Sequence, residues 1–232
     1  MANNLQLMRD KGTALIYGGI CHGLFLLAGL LMFICLYSGF SWQITPQFFL
    51  SSYAFNVLLL FQFPILHSFL LTSRGKVILR YFYSVSHKNK LDTTIYSSIA
   101  SFQLIILFLL WKPSGTLVWV ADGVLYYVLS FGFVLGWLGL SLSSVQAGFS
   151  VQTGSLGWLA VYRGIKPQFP DMPTTGLFSV IRHPIYFSFS IILWISPYFT
   201  IDKLIIASLY SLYCFLAPLL KEKRFLKIYG DR

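Results

Sequence analysis

The residues best placed for chemistry lie in the stretch Gly176 to Ser188, where Arg182, His183 and Pro184 directly precede an apolar, aromatic-rich run. Charge next to hydrocarbon is costly, so an Arg-His pair at the mouth of a hydrophobic helix implies a use for it. Arg182 offers a planar fork that suits a carboxylate, and His183 can donate or accept a proton near neutral pH. Pro184 lacks a backbone donor and suits the first turn of the following helix. Tyr186 follows three residues after His183, on nearly the same helical side. Further on, Glu222 stands among Lys221, Lys223, Arg224 and Lys227. Cationic neighbours favour its ionised form, ready to bind an ammonium group or to hold Arg182. Together these residues match a soluble cofactor that carries both a carboxylate and an amino group.

Composition defines the scaffold that must position them. Of 232 residues, 56% are hydrophobic and only 10% charged, which excludes an ordinary soluble domain. The expected fold is an all-α polytopic membrane protein of about six transmembrane helices, arranged as one domain over 1–232. Apolar runs cover about residues 14–40, 48–71, 93–111, 124–146, 185–199 and 204–220. The last two, joined by Thr200 to Lys203, form a helical hairpin that returns Lys221 and Glu222 to the face of Arg182 and His183. Gly132, Gly136 and Gly139 recur with Ser143 at helical spacing, so this face of the fourth run can approach another helix closely. Cys21, Cys35 and Cys214 lie in apolar runs without metal-ligand or disulfide spacing, and no metal site is expected. His22 reads as a packed or interhelical hydrogen-bonding residue. No cleavable signal is expected in residues 1–13.

Charge sets the topology. The connections 41–47, 112–122 and 200–203 balance to zero, whereas 1–13, 73–92, 147–184 and 221–232 are each net positive and carry the whole excess of +10. The positive-inside rule then assigns both termini, the basic segment and the Arg-His-Pro mouth to the cytoplasm. Residues 73–92 interleave Arg and Lys with Tyr and Phe, a pattern suited to an anionic membrane surface. Nucleic-acid binding has nothing but the charge behind it. His67, at the end of the second run, either caps or snorkels at the interface or lines an acceptor site. The long stretch 147–181 contains a short helical piece, Leu156 to Arg163, ending near Gly164, and reads as part of a site wall.

The stretch Gly176 to Tyr186, with Trp194, Pro197 and the run Lys221 to Gly230, resembles the C-terminal core of the isoprenylcysteine carboxyl methyltransferase and phospholipid methyltransferase superfamily. His67-Ser68 before Arg74, Tyr96, Trp111, Pro113 and Trp119 extend the similarity toward its methanethiol S-methyltransferase and NnrU-like branches. The core similarity covers residues 174–232. It implies S-adenosyl-L-methionine held at the cytoplasmic face by Arg182, His183, Pro184, Tyr186 and Glu222. His183 or His67 would assist deprotonation of the acceptor, with Arg182 in the same catalytic group. The acceptor implied is a small or hydrophobic thiol, with a prenylated carboxylate or a lipid amine as alternatives. A reductase related to the sterol reductases and an inactive scaffold are the competing classes. The chain departs from the family pattern at Lys221, where the first of two paired glutamates is usual, and at Gly148 to Gly154, which replaces a His-Phe-Asp-Leu-Phe-Gly-like stretch. It also stops at Arg232, before the aromatic residue often found after Gly-Asp-Arg.

Overall fold

The computed structural model describes residues 2–41, 53–84, 87, 89–171 and 173–229, the side chains of 2–4, 53 and 220–229 excepted. Ten helices and two short strands follow one another among these residues. They are α1 (Ala2–Tyr37), α2 (Tyr53–Leu70), α3 (Ser73–Leu79, continued by a 3-10 turn, Arg80–Phe82), α4 (Asp92–Leu110), β1 (Leu117–Val120), α5 (Gly123–Gln146), α6 (Phe149–Gln152), α7 (Ser155–Arg163), α8 (Leu177–Val180), α9 (Pro184–Trp194), β2 (Tyr198–Thr200) and α10 (Ile201–Tyr229). The chain divides into two compact units.

The expectation of about six spans is corrected by the helix lengths. Among the described residues four helical stretches are long and apolar enough to cross a membrane: Leu5–Tyr37, α4, α5 and Ile201–Leu219. A fifth results only if α2 and α3 are taken together, and these are bent by 97°. The fifth run, 185–199, fails for a local reason. The backbone turns extended at Ile195, Pro197 follows, and residues 198–200 form a strand, so α9 has 11 residues. Such a helix rises about 16 Å, roughly half of a hydrocarbon core. The fold is also not purely helical, because β1 and β2 pair antiparallel, with Leu117 opposite Thr200 and Val120 opposite Tyr198.

The first unit comprises residues 1–32, 45–111 and 147–172. Its helices are joined by polar contacts, which an apolar solvent would otherwise leave unsatisfied. Gln62 and Gln103 exchange amide hydrogen bonds between α2 and α4, at 3.0 Å and 2.9 Å to each other's backbone carbonyls. On α4, Thr94 Oγ1 donates to Gly154 O (2.6 Å) and accepts from Trp158 N (2.9 Å), fastening α7. The Cys21 thiol donates to Thr94 O and Thr153 O, and Trp158 Nε1 donates to His22 Nε2 at 3.1 Å, the interhelical role expected of His22. Gly154 lies at φ 76°, and a Cβ there would meet Ser97 Cβ and Cys21 Sγ within 3 Å. The expected helix at 156–163 is α7, capped by Gly164 at φ 69°.

The second unit comprises 33–44, 112–146 and 173–232. Here α9 packs against both α5 and α10. The glycine face of α5 makes the close approach expected of it. A Cβ on Gly136 would lie 3.0 Å from Ile192 Cγ1, and one on Gly139 would lie 2.9 Å from Ser188 Oγ. At the end of α9 nearest β2, Lys203 is fully buried. Its ammonium donates to Leu36 O at 2.8 Å and to Ser196 Oγ, and lies over the rings of Phe199 (5.5 Å) and Phe133 (5.8 Å). The neighbouring Asp202 turns the other way and accepts from Ser114 N (2.9 Å) and Ser114 Oγ (2.6 Å).

Two outcomes follow from these contacts. Lys203→Ala removes two charge-assisted hydrogen bonds and leaves a void, at a cost of about 3 kcal/mol. Thermal unfolding in detergent should show a clearly lowered midpoint, with a smaller drop for the volume-conserving Lys203→Met; an unchanged midpoint for the alanine variant would refute this role. Tyr83 in the first unit donates to Asp92 Oδ1 at 2.5 Å, and burial together with that bond pushes its phenol from 10.0 up to about 12. A raised acid value stabilises the protonated fold, so the contribution is complete below pH 10 and lost as pH rises through about 12. The stability of the wild type should fall more steeply than that of Tyr83→Phe over this alkaline range.

Candidate functional site

The Arg-His-Pro mouth is built by two short turns. α5 ends at Gln146, whose Oε1 accepts a hydrogen bond from Leu177 N at 2.9 Å. Leu177 opens α8, and Gly176 before it sits at φ 63°, where any Cβ would run into the Gln146 amide. Only glycine fits both the backbone angle and the approach. α8 then lasts one turn and closes with Ile181 N donating to Leu177 O at 2.9 Å. The chain is extended at Ile181 and bends at Arg182 and His183, the latter at the cap position of α9, and Pro184 occupies the first turn. The missing N–H of proline costs nothing there.

This path leaves Arg182 exposed, His183 and Tyr186 half-buried and Pro184 buried. The rings of His183 and Tyr186 meet edge to face, with centroids 6.1 Å apart and planes at 74°. The backbone of this turn is secured by Phe187 N donating to His183 O at 3.1 Å. Arg182, His183, Pro184 and Tyr186 therefore form one group within the second unit. α10 carries Glu222 in its helical backbone, and the side chain of Glu222 lies outside the described residues. The α9–α10 hairpin that was expected to bring it back is present, tied by Trp194 Nε1 donating to Ser211 Oγ at 2.8 Å.

His67 belongs to the first unit. Its Nε2 lies 2.7 Å from the Tyr96 hydroxyl, Phe63 stacks on it with centroids 4.7 Å apart, and the ring is half-buried. An imidazole hydrogen-bonded to a phenol has a fixed orientation, as a proton-transfer group requires. Tyr96 was legible only through family resemblance. Gln146 signals itself in the sequence only as a lone amide at the end of a long apolar helix. Lys203 stands in the connection Thr200 to Lys203, where nothing in the sequence marks its burial.

The residue types at the mouth, an exposed Arg182 adjoining in sequence the paired rings of His183 and Tyr186, can pair with an acid group and pack against an aromatic one. The fold thus defines a polytopic helical membrane protein in which an Arg182-His183-Pro184 turn opens a short apolar helix. Comparison with known proteins narrows the class. The chain is 28% identical over 177 residues to methanethiol S-methyltransferase 1 of Bradyrhizobium diazoefficiens, covering 76% of this chain and 61% of that protein. It is 26% identical over 144 residues to the methanethiol S-methyltransferase of Crocosphaera subtropica, covering 61% and 56%, and 27% identical over 143 residues to that of Pseudomonas deceptionensis, covering 61% and 55%. The chain is similar to methanethiol S-methyltransferases, one of the two branches its motifs resemble. It spans little more than half the length of the curated relatives it matches. No protein-family model matches the chain. No solved structure matches it.

The Gln146 clamp gives a direct test of how the mouth is held. Gln146→Ala frees Leu177 N and should cost about 1 kcal/mol, whereas Gly176→Ala adds backbone strain and a clash and should cost more. Limited proteolysis between residues 173 and 183 should accelerate in both variants; protection equal to wild type would contradict the assignment.

Proposed function

We propose that the chain is an integral-membrane methyltransferase that uses S-adenosyl-L-methionine to methylate a small, hydrophobic thiol of the methanethiol class. The observation that carries this reading is the similarity to several methanethiol S-methyltransferases. The preformed Arg182-His183-Pro184 mouth supports it. When bound, the cofactor supplies a methyl group activated on a sulfonium. Arg182 would hold its carboxylate and Glu222 its ammonium, each through charge-assisted hydrogen bonds. Tyr186 and His183 would enclose its ring-bearing part. Pro184 holds the turn rigid, so that alignment does not have to be regained at each turnover.

The thiol must lose its proton, because the thiolate is the nucleophile. His183 and His67 are the two candidates to take it, His67 with its ring oriented by Tyr96. Arg182 adds positive charge that favours the thiolate. Deprotonation by a neutral imidazole leaves the positive charge on the histidine and the negative charge on sulfur, ready for in-line attack.

We further assign both termini and the mouth to the cytoplasmic face. Support comes from the second unit, where the charge-neutral connections 112–122 and 200–203 meet each other and the residues just after α1. Thr200 Oγ1 donates to Gly39 O, Ile201 N donates to Thr116 O at 3.0 Å, and β1 pairs with β2. The positive-inside rule assigns the net-positive segments to the cytoplasmic face.

Binding of S-adenosylmethionine to the purified chain in detergent tests the reading. Wild type should bind saturably, and Arg182→Ala and Glu222→Ala should each weaken binding at least tenfold, the loss of one charge-assisted contact. Methyl transfer to methanethiol should fall further in whichever of His67→Ala or His183→Ala removes the base while binding persists. A well-folded wild type that binds no S-adenosylmethionine would sink the proposal.

A further inference from the structure

We propose that the helical segment Ser73–Phe82 is a binding site for anionic phospholipid, gripping headgroup phosphates with Lys76 and Arg80 while Val77, Ile78 and Tyr81 enter the acyl region. The site is independent of the methyl-transfer reading and lies wholly within the first unit.

The geometry begins at the end of α2. Thr72 caps α3 by accepting from Gly75 N at 3.1 Å, and its hydroxyl donates to Phe69 O at 2.7 Å. Gly75 lies so close to Phe69 O and Leu70 Cα that a Cβ could not be accommodated. The chain therefore folds back sharply across the end of α2, and the segment 73–82 leaves at 97° to it. With α2 standing along the membrane normal, a segment at this angle lies in the plane of the interface.

The distribution of side chains matches that placement. Gly75 and Leu79 are buried, Leu79 in the apolar cluster with Leu70, Leu91 and Ile95. Residues 76 and 80 are one turn apart, so Lys76 and Arg80 form a cationic edge on one flank of this buried face. Val77 lies opposite the buried face and Ile78 on its other flank, and these two and Tyr81 are exposed, Tyr81 at 83%. Arg74, Lys76 and Arg80 are all exposed, and among the described residues no carboxylate forms an ion pair with any of them. An exposed apolar stripe beside a cationic edge, laid along the interface, is complementary to a lipid whose headgroup is anionic. Neutral phosphatidylcholine would satisfy the apolar stripe but would leave the cationic edge without a net counter-charge.

The test compares spin-labelled phosphatidylglycerol with spin-labelled phosphatidylcholine in bilayers containing the full purified chain, reading the fraction of each label immobilised at the protein. Wild type should select phosphatidylglycerol at low salt and lose that selection at high salt. Lys76→Gln and Arg80→Gln should each reduce the selection about fivefold, the factor one basic residue contributes near an anionic surface. The charge-conserving Lys76→Arg with Arg80→Lys should retain it. Equal association of the two lipids with wild type, or full selection persisting in the Lys76→Gln, Arg80→Gln double variant, would overturn the proposal. Because the readout requires neither cofactor nor thiol, failure here is distinct from failure of the enzymatic reading.

Discussion

A single buried ammonium organises the second unit. A charge removed from water must find compensation, and Lys203 finds it in one carbonyl, one hydroxyl and two aromatic faces. Each of those groups comes from a different place in the sequence: Leu36 at the end of α1, Ser196 just beyond α9, Phe133 within α5, and Phe199 on β2. The requirement to satisfy one cation thus fixes four segments against one another. Asp202, next in sequence, fastens the β1 approach through Ser114, so the start of α10 is held on both sides. With its far end held in this way, α9 can present its own N-terminus, the Arg-His-Pro turn, in one orientation.

Much of this arrangement was legible in local pattern. The α9–α10 hairpin, the close-packing glycines of α5, the short helix ending at Gly164 and the interhelical role of His22 all depend on spacing and residue size, which a sequence displays directly. The span count did not follow, because hydropathy registers composition and is blind to where the backbone breaks. Residues 185–199 are largely apolar, yet the helix ends at Trp194, Ile195 is extended, the chain bends at Pro197 and residues 198–200 pair with β1. Lys203 was equally invisible: a lysine beside an aspartate in a tight turn reads as solvated, and its burial depends on partners that lie up to 167 residues away.

The candidate site shows the same division. Arg182, His183, Pro184 and Tyr186 announce themselves because their chemistry conflicts with an apolar neighbourhood. Gln146 and Gly176, which shape the turn leading to them, carry no chemistry of their own and become meaningful only when α5 and α8 are seen end to end. His67 and Tyr96 lie 29 residues apart, and only the packing of α2 on α4 joins them.

The brevity of α9 sets a depth. Its 11 residues advance about 16 Å along the helix axis, against about 30 Å for a hydrocarbon core. Under the proposed topology, which puts the β1–β2 end at one membrane surface, Arg182 and His183 at the other end of α9 would stand nearer the bilayer mid-plane than the opposite surface. On that reading the mouth would be a recess, open to a polar solute from water and to an oil-soluble molecule from the acyl chains.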